Sequence, residues 1–471
     1  MDRERFKPGS VIDGFTIVEL AHRGGMSKLY AVTRPDIDFP MLMKVPDTVA
    51  GSDAAMIVGF EMEQMILPRL SGPHVPRFVA NGDFSVQPYI VFERLPGKSL
   101  YPRLEDLPLG IDEVVSLGAR IALALSDLHR QNVVHLDIKP SNILFRKTGE
   151  AVLVDFGLAH HLNLPDLMSE EFRLPYGTAP YMAPEQVLGN RSDFRSDLFA
   201  LGVLLYFFVT GKRPFGDPQG MKGLKKRLWR DPPPPRALRP DCPKALQEVI
   251  LRCLEVDPAR RHPSAAQLAM DLQDLSKVVL GPRAEKLTRD GWRMVLKRRF
   301  NPDPIEPPRL SAAAAALANA PIVMVAIDLS DGSAELADAL RLTVKRIIEK
   351  TPQARIACFN VLKINRIALD DDLDESGNRK HVTRLVQLKH WAEPLKAAEG
   401  SVTHHVIEAV SPPQAILNFA RENLVDHIVM GARADSAMRS LLGSVSGEVA
   451  AHAPCTVTVV RVRKGRDVAA E

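Results

Sequence analysis

Four prolines within seven residues, Pro302, Pro304, Pro307 and Pro308, divide the chain into two parts. Proline at that density lacks backbone donors and suits an extended, semi-rigid connection rather than a core. Arg298 and Arg299 precede it, and an alanine run from Ala312 to Ala316, able to form a short helix, follows. We therefore read residues 276–320 as a Pro/Ala-rich linker. It joins a region at 15–275 to one at 321–464, with short tails at 1–14 and 465–471.

The two regions differ in texture. Region 15–275 passes from short β-like segments to long apolar helical patterns. Region 321–464 alternates regularly. Residues 322–327 are a continuous apolar run, as in a strand buried on both faces, and Leu336, Leu340 and Val344 then recur at helical spacing. Residues 355–362, 402–410, 428–431 and 456–462 read as further strands. This alternation predicts an α/β fold with a doubly wound parallel sheet.

Composition narrows the class. The 471 residues are 45% hydrophobic and 25% charged, as in an ordinary globular protein. The formal net charge of +4 gives no electrostatic case for nucleic acid or a membrane surface. A basic run at Lys222, Lys225, Lys226, Arg227 and Arg230 reads as a solvated face. Four scattered cysteines fit a reducing compartment, and the charged N-terminus is not a signal peptide. The longest apolar run, 198–209, is far short of the roughly 20 residues of a membrane span. A cytoplasmic protein is expected. Neighbouring residues of a strand face opposite sides, so His404 and His405 are not read as a joint metal site, nor are His160 and His161.

Phosphoryl transfer needs a few placed charges: a phosphate clamp, metal ligands and a base for the acceptor hydroxyl. His135-Leu136-Asp137-Ile138-Lys139-Pro140-Ser141-Asn142 resembles the catalytic loop of protein kinases. Asp155-Phe156-Gly157, Gly177-Thr178 and Ala183-Pro184-Glu185 follow in the family's order. The resemblance spans all of 15–275 and implies a bilobal α+β kinase fold using ATP and Mg2+. It makes Asp137 the catalytic base, Lys139 the residue steadying the transferred phosphate, and Asn142 and Asp155 the magnesium ligands. The Lys-Pro-x-Asn form points to serine/threonine specificity. Lys44 in Met41-Leu42-Met43-Lys44 corresponds to the phosphate-binding lysine, and Glu63 to its helical partner, with Glu61 as rival. Phe92 falls at the gatekeeper, Glu93 and Leu95 face adenine, and Asp197, with the Glu185–Arg261 pair, supports the loop.

The departures are specific. The glycine-rich loop aligns with Ala21 to Tyr30, where His22 and Ser27 replace the outer glycines; Gly24, Gly25 and Leu29 remain as ATP-binding candidates. Leu136 stands where the family carries an arginine that pairs with a phosphorylated activation segment, so strict dependence on that phosphorylation is not expected. Pro68 is expected to end or kink the helix of Glu63 near Leu67.

In the second region, 428–434, Gly443-Ser444 and Ala453-Pro454-Cys455 resemble a universal stress protein domain, as does the opening strand ending in Asp328. In nucleotide-binding members a glycine loop wraps phosphates. That implies a second nucleotide site at Asp328, Gly431, Gly443 and Ser444, although Ala434 replaces the second glycine and only eight residues separate it from Gly443. The competing reading makes Gly431 and Gly443 turn glycines in an assembly domain. For the whole chain the expectation is an ATP- and Mg-dependent serine/threonine kinase acting on protein substrates and on itself. The second domain regulates it or pairs two copies. A pseudokinase scaffold, or a nucleotide-sensing stress protein, is the alternative.

Overall fold

The computed structural model describes residues 6–24, 27–46, 54–83, 87–97, 99–301, 311–329, 333–364, 380–395, 400–432 and 444–462. The chain opens with a six-stranded antiparallel sheet. Its strands are β1 (Val11–Ile12), β2 (Phe15–Arg23), β3 (Ser27–Thr33), β4 (Met41–Pro46), β5 (Phe78–Asn81) and β6 (Ile90–Glu93), in the order β1-β2-β3-β4-β6-β5. Alternation sets the faces of β4. Met41, Met43 and Val45 are buried in a cluster with Phe15, Ile17, Tyr30 and Val91, which leaves Lys44 on the opposite face.

Helix α1 (Ala54–Ile66) packs against β4. It ends at Ile66, and Pro68 begins a 3-10 turn, Leu67–Arg69, as the sequence predicts. Ala55, Ile57, Val58, Phe60, Met62 and Ile66 are all buried and fall on every side of the helix. A helix apolar all round must be covered all round.

The larger lobe is built on α2 (Ile111–Arg130), α4 (Arg195–Thr210), α5 (Lys244–Cys253) and α6 (Ala265–Gln273), with the short helix α3 (Leu167–Glu171) among its loops. Its short strands pair as β7 (Val133–Val134) with β10 (His160–His161) and β8 (Ile143–Phe145) with β9 (Ala151–Leu153). Asp112 and Glu113 in the first turn of α2, with His129 and Arg130 in the last, complement the helix dipole. Val114, Leu117, Ile121, Leu125 and Leu128 form its buried stripe. Asp166 caps α3 by accepting from the Ser169 amide. Gly211 closes α4 at φ 68°, a left-handed cap that glycine adopts without strain.

The chain before the prolines is docked. Gln247 donates to the carbonyls of Arg283, Ala284 and Lys286, and Arg283 pairs with Glu248 and Glu255. Helix α7 (Trp292–Phe300) is tied back by Arg298 to Asp231. The alanine run forms α8 (Ala312–Ala318), capped by Ser311.

The second region is a five-stranded, wholly parallel sheet. Its order is β13 (Val402–Ala409), β12 (Arg355–Lys363), β11 (Ile322–Ala326), β14 (His427–Gly431), β15 (Thr456–Val460). Helices α9 (Ala334–Lys350), α10 (Lys380–Ala392), α11 (Pro412–Glu422) and α12 (Ser444–His452) complete the doubly wound α/β fold. On one face Met324, Phe359, Leu417, Phe419 and Met430 form a separate core. On the other, Val323, Val325, Ile356 and Cys358 share one apolar cluster with Leu340, Leu385 and Leu388 and, beyond them, with Leu164, Leu167 and Met168 of the first region. Among the described residues no helix is long and apolar enough to cross a membrane.

Candidate functional site

Lys44, Glu63 and Asp155 meet in the cleft between the lobes. Nζ of Lys44 lies 2.5 Å from Oε2 of Glu63 and 2.9 Å from Oδ1 of Asp155. Burial works against the charge on Lys44, but the two carboxylates outweigh it and hold the lysine protonated well above its ordinary range. Lys44 in turn pulls Asp155 down to about 2. Burial raises Glu63, against the attraction of Lys44. Leu29 sits directly opposite Lys44 in the β3–β4 register, and His22 opposite Leu29, so all three present to one face. Glu61, the rival to Glu63, points elsewhere and pairs with Lys389 of α10 at 2.6 Å.

Two non-glycine residues take left-handed backbone here, Leu136 at φ 64° and Asp155 at φ 68°. Such strain persists only where the surroundings fix it. Asp197 does so for the loop, accepting from the amides of His135 and Leu136, each at 2.8 Å, and bonding His129 Nε2 at 2.9 Å. Gln186 Nε2 donates to the Leu136 carbonyl at 2.9 Å.

Asp137 is 5% exposed, and its carboxylate is fully engaged. Oδ2 accepts from Lys139 Nζ at 2.6 Å and Asn142 Nδ2 at 3.1 Å. Oδ1 accepts from the Thr178 hydroxyl at 2.7 Å and the Thr178 amide at 3.1 Å. A hydroxyl is thus already seated against the Asp137 carboxylate. Deeper in the lobe, Glu185 and Arg261 form two parallel bonds of 2.7 Å, with a third from Ser196. Both side chains are essentially inaccessible.

The oxygens of Asp155 and Asn142 fit a magnesium ion. Mg2+ takes hard oxygen donors, commonly one or two protein groups with the rest from phosphate and water. Asp155 is ionised, and the amide nitrogen of Asn142 is turned to Asp137. At the hinge, Phe92 is half-buried and Leu95 buried. The Glu93 carboxylate is committed to Arg146 by bonds of 2.6 and 3.0 Å. The Gly24 amide closes a turn onto the Ser27 carbonyl at 2.9 Å, and Gly25 lies outside the described residues.

In the second region Asp328 follows β11 and Gly431 ends β14, neighbouring strands at the sheet's carboxyl edge. A Cβ on Gly431 would stand 2.8 Å from Leu336 Cδ2. This glycine therefore lets α9 approach the sheet. Ser444 opens α12, and Gly443 lies outside the described residues.

Three features escape the sequence reading. Gly59 of α1 lies against Gly157. Ser196 completes the Glu185 pair. Arg227, read with its neighbours as a solvated face, is 1% exposed. Its guanidinium bonds the carbonyls of Met182 and Ala179 and so braces the activation segment. A basic run does not reveal which member turns inward.

Both regions match known protein families. The protein kinase domain model matches residues 17–272, and the universal stress protein family model matches residues 320–461. The chain is 31% identical over 303 residues to the probable serine/threonine-protein kinase CE0033 of Corynebacterium efficiens, covering 62% of this chain and 46% of that one. It is 32% identical over 288 residues to the serine/threonine-protein kinase pkn3 of Myxococcus xanthus, covering 59% and 52%. The chain thus spans about half the length of these curated relatives. The crystal structure of the Mycobacterium tuberculosis PknI kinase domain aligns at 25% identity and TM-score 0.45, over 57% of this chain and 99% of that one. With more than half of its length matched, the chain belongs to the protein kinase family and carries a universal stress protein domain behind its kinase domain.

Proposed function

We propose that the protein transfers the γ-phosphate of ATP to serine or threonine hydroxyls of proteins. The observation that carries this reading is the bond from the Thr178 hydroxyl to Asp137, beside Lys139, with Lys44, Glu63 and Asp155 assembled across the cleft. A substrate hydroxyl in the place of Thr178 gives its proton to Asp137 as its oxygen bonds the γ-phosphorus. The bond to the bridging oxygen breaks and ADP leaves. Lys139 offsets charge on the moving phosphoryl, and Lys44, oriented by Glu63, holds the α- and β-phosphates. Asp155 and Asn142 would hold magnesium, which would supply charge neutralisation at the phosphates. Glu93 and Leu95 meet adenine through their main chain, and Leu29, Gly24 and Gly25 cover the phosphates.

Domain limits at 15–275 and 321–464, with a connection at 276–320, belong to the same proposal. So do self-phosphorylation, pairing of two copies through the second domain, and a cytoplasmic setting. Asp328, Gly431, Gly443 and Ser444 remain a candidate second nucleotide site. Gly431 has a packing reason of its own, and labelled ATP binding by a chain whose kinase cleft is disabled for nucleotide by Lys44→Ala, with and without Asp328→Ala, tests that site. The deciding measurement is labelled-phosphate transfer from magnesium ATP by wild type and Asp137→Asn. Loss in the variant is expected, and equal incorporation would refute the assignment.

A further inference from the structure

The activation segment meets the second domain through a buried charge cluster. Glu170 and Glu171 end α3, and His405 of β13 lies between them. Its Nδ1 is 2.9 Å from Glu171 Oε1 and its Nε2 is 3.1 Å from Glu170 Oε2. Nε2 also contacts the Thr403 hydroxyl at 2.8 Å. The His405 side chain has no solvent access, and Glu171 almost none. A neutral imidazole has one N–H, so carboxylates at both nitrogens call for the doubly protonated ring. Arg355 of β12 pairs with Glu170 from the adjacent strand, and Asn423 Nδ2 bonds the Glu170 carbonyl at 3.1 Å.

Two further contacts extend the junction. Lys389 of α10 pairs with Glu61 on α1, two residues from Glu63. The linker helix α8 seats Ala314 in an apolar cluster with Val134, Leu136 and Leu162. Leu136 is the residue standing where the family carries its phosphate-reading arginine, so that place is filled with hydrocarbon. The apolar circumference of α1 and the cluster continuing from Leu164, Leu167 and Met168 into the second domain fit the same arrangement.

We propose that the universal stress protein domain is a built-in clamp that positions the kinase machinery: Arg355 and His405 order the activation segment through Glu170 and Glu171, and Lys389 holds α1 through Glu61. This rests on the kinase reading of the N-terminal cleft. The clamp replaces a phosphate on the activation segment. The cations come from a neighbouring domain, and the carboxylates are part of the chain. The state it holds is the assembled one, with Lys44 on Glu63 and Asp137 on Thr178. Arg355, His405 and Lys389 are positioning residues, since they touch no reacting atom.

The test is a charge swap in the full chain, using magnesium ATP and casein as acceptor. Glu61→Lys and Lys389→Glu should each lower turnover about tenfold, a coupling of the size that links distinct sites. The double variant should return to within about threefold of wild type. A general loss of stability would not be rescued by reversing both charges. Single variants as fast as wild type or faster would overturn the proposal, as would a double variant no faster than its slower parent. Hydrogen exchange over residues 54–66 and 167–173 decides the clamp without any phosphotransfer. Faster exchange over 54–66 in each single variant, restored in the double, and over 167–173 in a His405→Gln chain supports it, and unchanged exchange in either segment overturns it. Absence of phosphotransfer by wild type with that exchange pattern intact would instead refute the kinase reading alone.

Discussion

Gly59 of α1 lies against Gly157 of the Asp-Phe-Gly turn, so closely that a Cβ on Gly59 would stand 3.0 Å from the Gly157 carbonyl oxygen. The obstacle is main chain and cannot rotate away. Gly59→Val should push α1 outward and separate Glu63 from Lys44. Misplacement by about 1 Å can cost on the order of a hundredfold. Steady-state kinetics should show a higher KM for ATP and a lower kcat. An unchanged kcat/KM would show that the helix can yield without consequence.

Asp137→Asn keeps the shape of the loop and removes the proposed base. Proton transfer by a placed side chain is worth about 10²–10⁴-fold, so kcat should fall by that range while ATP affinity holds. Fluorescent nucleotide binding beside the transfer assay separates the two. If ATP affinity fell with the rate, Asp137 would be structural instead.

Arg261→Ala leaves Glu185 buried with Ser196 as its remaining side-chain partner. Breaking a buried pair costs about 3–5 kcal/mol. Thermal unfolding should show the lobe melting well below wild type. A loss under about 1 kcal/mol would place the pair among those that solvent already screens.

The pH response of the interdomain junction follows from His405. Burial opposes its charge, but Glu170 and Glu171 outweigh burial and raise it to about 9 from an ordinary 6.5. Burial also pushes Glu171 up, while His405 and Arg355 hold Glu170 down against the same effect. Other charges facing the cluster are Glu61 on α1, and His381 and Lys389 on α10. On β13 itself, burial with Lys389 and His405 drives His404 down to about 3. A group raised on docking contributes fully below the undocked value. Docking should therefore be firm up to about pH 6.5 and weaken as pH passes about 9. Interdomain energy transfer between dyes should fall over that window in wild type and stay flat in His405→Gln. A wild-type signal level from pH 6 to 10 would contradict it.

Activity should also survive complete dephosphorylation. Leu136 is packed under Ala314 and offers no cation to a phosphate. Phosphatase-treated protein, checked by mass spectrometry, should keep more than about half its turnover, in line with a loop already ordered by fixed charge pairs. A preparation that is inert until its activation segment is phosphorylated would refute this.

Much of the cleft was legible because its chemistry is carried by rare residue types in a fixed order. Lys44, Asp137, Asn142 and Asp155 were placed from motifs, and Pro68 announced the end of α1 because it cannot donate a helical bond. What stayed hidden depends on long-range packing. Nothing local to His405 says that two glutamates more than two hundred residues earlier will flank it. Arg227 looks like its lysine neighbours until the activation segment folds over it. Gly59 reads as a weak helix residue until Gly157 arrives beside it. One signal of the junction does lie in the sequence: α1 has no polar stripe, which announces a cover on its outer side.

That missing stripe has a consequence for inheritance. A kinase whose control helix faced water could exchange its companion domain and still fold. Here the outer side of α1, the end of α3 and the seat of Ala314 are shared territory, so a substitution in either fold is judged by the other. A gene fragment ending at the prolines would leave the outer side of α1 and the end of α3 without the partners that cover them.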